Sequence, residues 1–192
     1  DPRSIFGPHA PEGPTLLGNA GWWPPQLEWQ GTLAGTHGSP ESNPKLCARC
    51  HVFPFEVTDA TTGAFAFQST GHLFTSTPCL DSDGKPTVDG NCSDSERSFA
   101  ACAGSGCHAN AGLARLASTL AVDRIAELTA TLGLLVEQIP SSEFNSADSR
   151  YTAGEGSKFN FELASATGAA IHNPFLIEAL LLASITEVER VY

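Results

Sequence analysis

The chain has 192 residues, with 21 acidic against 10 basic side chains and a formal charge of −11 at pH 7. That balance argues against nucleic acid and anionic membranes as partners and favours docking by proteins with a basic face, simple solubility being the other reason for acidity. Its 18 glycines and 13 prolines are too many for a fold of long periodic elements alone, and the length suits one domain, with or without an arm.

No methionine occurs, position 1 included, which predicts a processed chain whose export signal has been removed. The longest apolar run, near Phe175 to Ile185, contains Glu178. It is too short to span a membrane.

Residues 1–31 read as an extended arm. Pro2, Pro8, Pro11, Pro14, Pro24 and Pro25, interspersed with Gly7, Gly13 and Gly21, disfavour helix and central strand. Trp22, Trp23 and Trp29 need cover, from a cofactor, an interface or the domain itself. An arm with this reach could lie over its own domain or on a neighbouring copy, where head-to-tail contacts would build rings or filaments. Residues 32–192 then form the domain proper.

Cys47-Ala48-Arg49-Cys50-His51 is a Cys-x-x-Cys-His run, the attachment signature of c-type haem. Two thiols reach the two vinyl groups on one porphyrin edge, and the next side chain gives the iron an imidazole nitrogen. Cys102 to His108 repeats the ending, with four residues between the cysteines instead of two. The reading is two covalent haems, held by Cys47, Cys50, Cys102 and Cys107, with His51 and His108 as near-side ligands. A zinc site built from the four cysteines is the rival. It leaves both adjacent histidines unexplained.

Between the motifs, Ala64 to Gln68 alternates and predicts one short strand. Cys79 and Cys92, left over from the thioethers, form the natural disulfide. Their loop carries Asp81, Asp83 and Asp89 but lacks the spacing and closing glutamate of an EF-hand. It reads as a turn-rich loop, with calcium the lesser alternative.

From Leu113 onward, Leu116, Leu120, Ile125, Leu128, Leu132, Leu135 and Ile139 recur at helical spacing, predicting one long amphipathic helix from just after His108 to Pro140. Residues 141–158 read as a polar connection. A last helix is predicted at Asn173-Pro174, Asn173 as N-cap and Pro174 in the first turn. The expected fold class is mainly α with extensive irregular loop, a haem-organised core, two C-terminal amphipathic helices and little or no sheet.

Haem iron takes two axial ligands. Without methionine, His9, His37, His72 and His172 are the far-side candidates, with His72 and His172 ranked first, His37 next and His9 last. The settings Gly71-His72-Leu73-Phe74 and Ile171-His172-Asn173-Pro174-Phe175, together with Gly7-Pro8-His9 and Thr36-His37 ahead of Cys47, resemble multihaem c-type cytochromes. That group includes the ammonia-forming nitrite reductases, their octahaem relatives and outer-surface cytochromes of metal-reducing bacteria. The resemblance implies that His72 and His172 are far-side ligands and that His9 and His37 can be; two of the four complete the two irons and two are left over. Nothing in the chain resembles the lysine-ligated catalytic haem of the nitrite reductases, and Val52 stands where many relatives carry methionine.

The expected protein is therefore an exported dihaem electron carrier of the periplasm or cell surface. Redox proteins or extracellular acceptors are its expected partners, and it would form a homo-oligomer or a haem-wire filament. A reductase or peroxidase with one open iron is the alternative.

Overall fold

A computed structural model describes residues 10–27, 32–59, 61–69, 74–87, 90–104, 107–144 and 151–192. The described chain is mainly helical. It divides into two compact units, Asp1–Ser42 with Ala121–Tyr192, and Asn43–Leu120.

In the first unit, α1 (Glu12–Leu16) follows Pro11. This is a local correction to the extended arm: Pro14 falls in a first turn, where its missing N–H costs no hydrogen bond. The unit's core is made by the later part of α4 (Ala111–Val136), α5 (Ala153–Ser165), the short α6 (Ala169–His172) and α7 (Pro174–Val191). Ile125, Leu128 and Leu132 of α4 meet Leu163 of α5 and Leu176, Ile177, Leu180, Leu181 and Val188 of α7. The predicted long helix is present, and so is the final helix with its Asn173 cap, whose Oδ1 accepts from Leu176 N at 3.1 Å. The expected continuous leucine stripe is not. Ile125, Leu128, Leu132 and Ile139 are buried, whereas Leu113, Leu116 and Leu120 are exposed.

The polar connection expected over 141–158 is corrected, because α5 starts at Ala153. Thr152 caps it through a reciprocal capping box: Glu155 N donates to Thr152 Oγ1 at 3.1 Å, and Thr152 N to Glu155 Oε2 at 3.0 Å. Two buried asparagines bind the chain at Thr15, Trp22 and Leu33 to these helices. Asn160 accepts from Trp22 N at 2.8 Å and donates to Trp22 O at 2.7 Å and Ser184 Oγ at 2.9 Å. Asn173 donates to Thr15 O at 3.1 Å and Leu33 O at 2.7 Å. An asparagine amide pairs with a stray peptide group much as another peptide would, so buried carbonyls here keep their partners. The described part of the arm therefore lies on its own unit. Trp22 packs against Gly156, where an added Cβ would come within 2.0 Å of the indole, and Trp23 packs on the core. Trp29 is outside the described residues.

The second unit holds α2 (Cys47–His51), a hairpin of β1 (Phe55–Thr58) and β2 (Phe65–Ser69), α3 (Ala100–Gly104) and the start of α4. The expected strand thus has a partner, antiparallel, with Glu56 opposite Gln68 and a bulge between Val57 and Thr58. Asp59 Oδ1 closes the turn by accepting from Thr61 N at 3.0 Å and Thr62 N at 2.6 Å. The Cys79–Cys92 disulfide is formed, with S–S 2.04 Å. Asp81 Oδ1 accepts from Asp83 N and Lys85 N at 2.9 and 2.8 Å, so it builds the loop's turn. The Arg97 guanidinium ties the loop down through Thr77 O at 3.1 Å and Gly90 O at 2.7 Å. Asp89 is outside the described residues.

Candidate haem-attachment site

α2 is one turn of helix, and a single turn puts Cys47 and Cys50 on one side with His51 next to them. The backbone entering it is unusual: Leu46 has φ +44°, a region that a branched side chain disfavours. His51 is held from outside the helix. Its Nδ1 lies 3.0 Å from the carbonyl oxygen of Phe74, and the two rings stack with centroids 4.6 Å apart and planes 18° from parallel. A carbonyl can only accept, so Nδ1 carries the proton and Nε2 is the basic nitrogen of that tautomer. Metal-ligating histidines are oriented in this way, the second ring N–H given to a carbonyl or carboxylate. Phe74 itself takes φ +47°.

α3 carries Cys102 and packs against α2. Phe53 lies over its end, where an added Cβ on Gly104 would meet the ring at 2.5 Å. Cys107 and His108 follow. The thiols of the two motifs are close enough to feel each other's charge. Burial pushes the Cys102 thiol up to about 11, and the neighbouring Cys50 adds to it. Burial, then Cys107, raises Cys50. Both therefore stay neutral at physiological pH. Proximity is not convergence: among the described residues no three His, Cys, Asp or Glu side chains are grouped to hold one metal ion.

The donor set fits covalent haem. Each motif offers two cysteines followed directly by a histidine, and one of those histidines already has a ligand's tautomer. The surroundings fit as well. Phe65, Phe74, Leu113, Leu116 and Leu120 are each at least half exposed in the unit that carries both motifs. A flat apolar ring needs such a lining.

The other candidates separate. His37 and His172 belong to the first unit, where the structure brings them together. His37, in a 3₁₀ turn at Thr36–Gly38, has Nδ1 2.8 Å from the carbonyl oxygen of Ile171, the residue before His172. It therefore has the same tautomer as His51. The His172 ring rests against Gly168, whose φ of +80° favours glycine and where an added Cβ would lie 3.0 Å from His172 Cε1. His9 and His72 lie outside the described residues. Sequence reasoning missed Phe74, Leu46 and Gly168 as supports. Only Gly168 left any signal, as a glycine shortly before a helical histidine.

The chain matches no protein-family model, no curated protein and no solved structure.

Proposed function

We propose that the protein is an exported dihaem c-type cytochrome that transfers electrons, with haems attached through Cys47 and Cys50 and through Cys102 and Cys107. His51 and His108 would be the near-side iron ligands, and His172, His37, His72 and His9 the candidates for the far side. The observation that carries the reading is the ring orientation of His51. Directly after a Cys-x-x-Cys pair, its Nδ1 lies 3.0 Å from Phe74 O, the orientation in which a histidine that gives Nδ1–H to a carbonyl ligates a metal through Nε2.

The haems would supply one-electron chemistry, while the chain supplies spacing, axial ligands and a docking surface. Cys47 and Cys50 on α2 and Cys102 on α3, two helices packed on each other, favour short transfer between the two haems. The acidic surface suits partners with a basic face. Among the described residues no helix is long and apolar enough to cross a membrane.

Mass spectrometry of the denatured protein should show the mass of two haems, and oxidised and reduced spectra should be low-spin with imidazole ligation on both irons. An unmodified mass, or stoichiometric zinc, refutes the cofactor. A ferric high-spin signal that binds cyanide readily replaces the carrier with an open-iron enzyme.

A further inference from the structure

α4 has two different halves. Beyond residue 121, Ile125, Leu128 and Leu132 enter the core of the first unit, but its opening turns expose leucine. Leu113, Leu116 and Leu120 are 50%, 53% and 61% exposed. At about 100° per residue they fall within roughly 60° of arc and form one strip about 10 Å long.

That strip has a fixed position in its unit. Asn110 Oδ1 accepts from Leu113 N at 2.9 Å and anchors the first turn. Ala114, on a different side of the helix, is 3% exposed and sets the face that packs inward. Thr119 Oγ1 donates to Asp94 Oδ2 at 3.0 Å and pins the third turn. The leucines are thus presented on a braced element, and they begin five residues after His108.

We infer that Leu113, Leu116 and Leu120 are the wall against which the haem joined to Cys102, Cys107 and His108 lies, an inference that rests on the dihaem reading. The covalent tether is the argument for this occupant. A ring bonded to Cys107 and ligated by His108 cannot leave the neighbourhood of the helix that starts at Ala111, and its apolar face needs cover of about this width. A second copy of the chain is the weaker candidate. Three half-exposed leucines supply far less than the roughly 800 Å² per partner of a stable interface.

The test uses the haem-loaded protein in its ferrous, diamagnetic state, with leucine methyls labelled for NMR. Porphyrin ring current should move methyl signals of Leu116 and at least one of its two neighbours well upfield, each assigned by its loss in Leu113→Val, Leu116→Val or Leu120→Val. These conservative variants keep the fold. In addition, Leu116→Gln should alter the Soret circular dichroism without changing the sedimentation coefficient. Ordinary methyl positions in a protein whose mass shows two haems overturn the inference alone. Ordinary positions together with a Leu116→Gln protein that falls from oligomer to monomer overturn it in favour of a second copy. A protein without haem mass overturns the dihaem reading and this inference with it.

Discussion

Asn173 joins the fold to the histidine pair, and replacing it tests whether the chain holds together as described. The side chain is fully buried and makes three hydrogen bonds: Leu176 N donates to it, and it donates to Thr15 O and Leu33 O. Asn173→Ala removes an N-cap worth about 1 kcal/mol. It also strands two buried carbonyls at about 1 kcal/mol each. The expected loss is roughly 3 kcal/mol, a large part of the 5–15 kcal/mol that a domain usually has. Asn173→Ser keeps an oxygen for Leu176 N but gives up both donations, so it should lose roughly 2 kcal/mol. Segment 33–35 lies on this residue, with a Cβ on Gly35 only 3.1 Å from Asn173 Oδ1, so the setting of His37 should loosen in both variants. Urea unfolding followed by helical circular dichroism reads the stability. A loss under about 0.5 kcal/mol for Asn173→Ala, the scatter of ordinary surface substitutions, refutes the clamp. Equal losses for alanine and serine refute the capping share.

Gly156→Ala should destabilise by about 1–2 kcal/mol. Overpacking against Trp22, whose peptide groups Asn160 holds on both sides, outweighs the roughly 1 kcal/mol of helix propensity gained, and a stabilised variant would contradict this. Arg190, and secondarily Gln26, hold the Glu187 carboxyl below the usual glutamate range against the opposing effect of burial. Its contribution is therefore present above about pH 4.3 and lost as pH falls through the depressed value, so Glu187→Gln should flatten the acid limb of the stability profile; an unchanged limb rejects the pairing. Burial, then the hydrogen bond to Glu143, pushes Tyr192 up to about 12. That stability is present below about pH 10 and lost as pH rises toward the folded value, and Tyr192→Phe should flatten the alkaline limb. His51→Ala should keep both covalent haem masses while one of the two low-spin spectra becomes high-spin. An unchanged spectrum would remove His51 from the iron.

The helices that could be read from the sequence were those whose local signals agree with their packing. Asn173-Pro174 states a start in two residues, and α7 buries the apolar residues that its periodicity marks. α5 was missed because its sequence serves contacts rather than propensity. Gly154 and Gly156 are bare so that neighbours can approach, and Ser157 and Asn160 are buried although polar. Such residues read as loop until their partners are known, yet Thr152 and Glu155 form a capping box that marks the start. The leucine stripe of α4 misled in the opposite direction. Periodicity shows that a face is apolar but not what covers it, so one continuous pattern concealed a change of surroundings between Leu120 and Ile125.

At the candidate attachment site the difference has a chemical origin. Thioether formation and near-side ligation require the cysteines and histidine to be sequence neighbours, so the reacting groups spell a motif. Orientation carries no such requirement. The group that sets the His51 tautomer is a backbone carbonyl 23 residues away, and every residue type has one. Phe74 must also adopt a positive φ to present it, as Leu46 does on entering α2, and neither residue type favours that conformation. Strain of this kind costs on the order of 1–3 kcal/mol and persists where the surrounding structure forces it, often next to functional groups. Here it lies on both approaches to the first motif: one strained residue starts the turn that carries both thiols, and the other holds the imidazole.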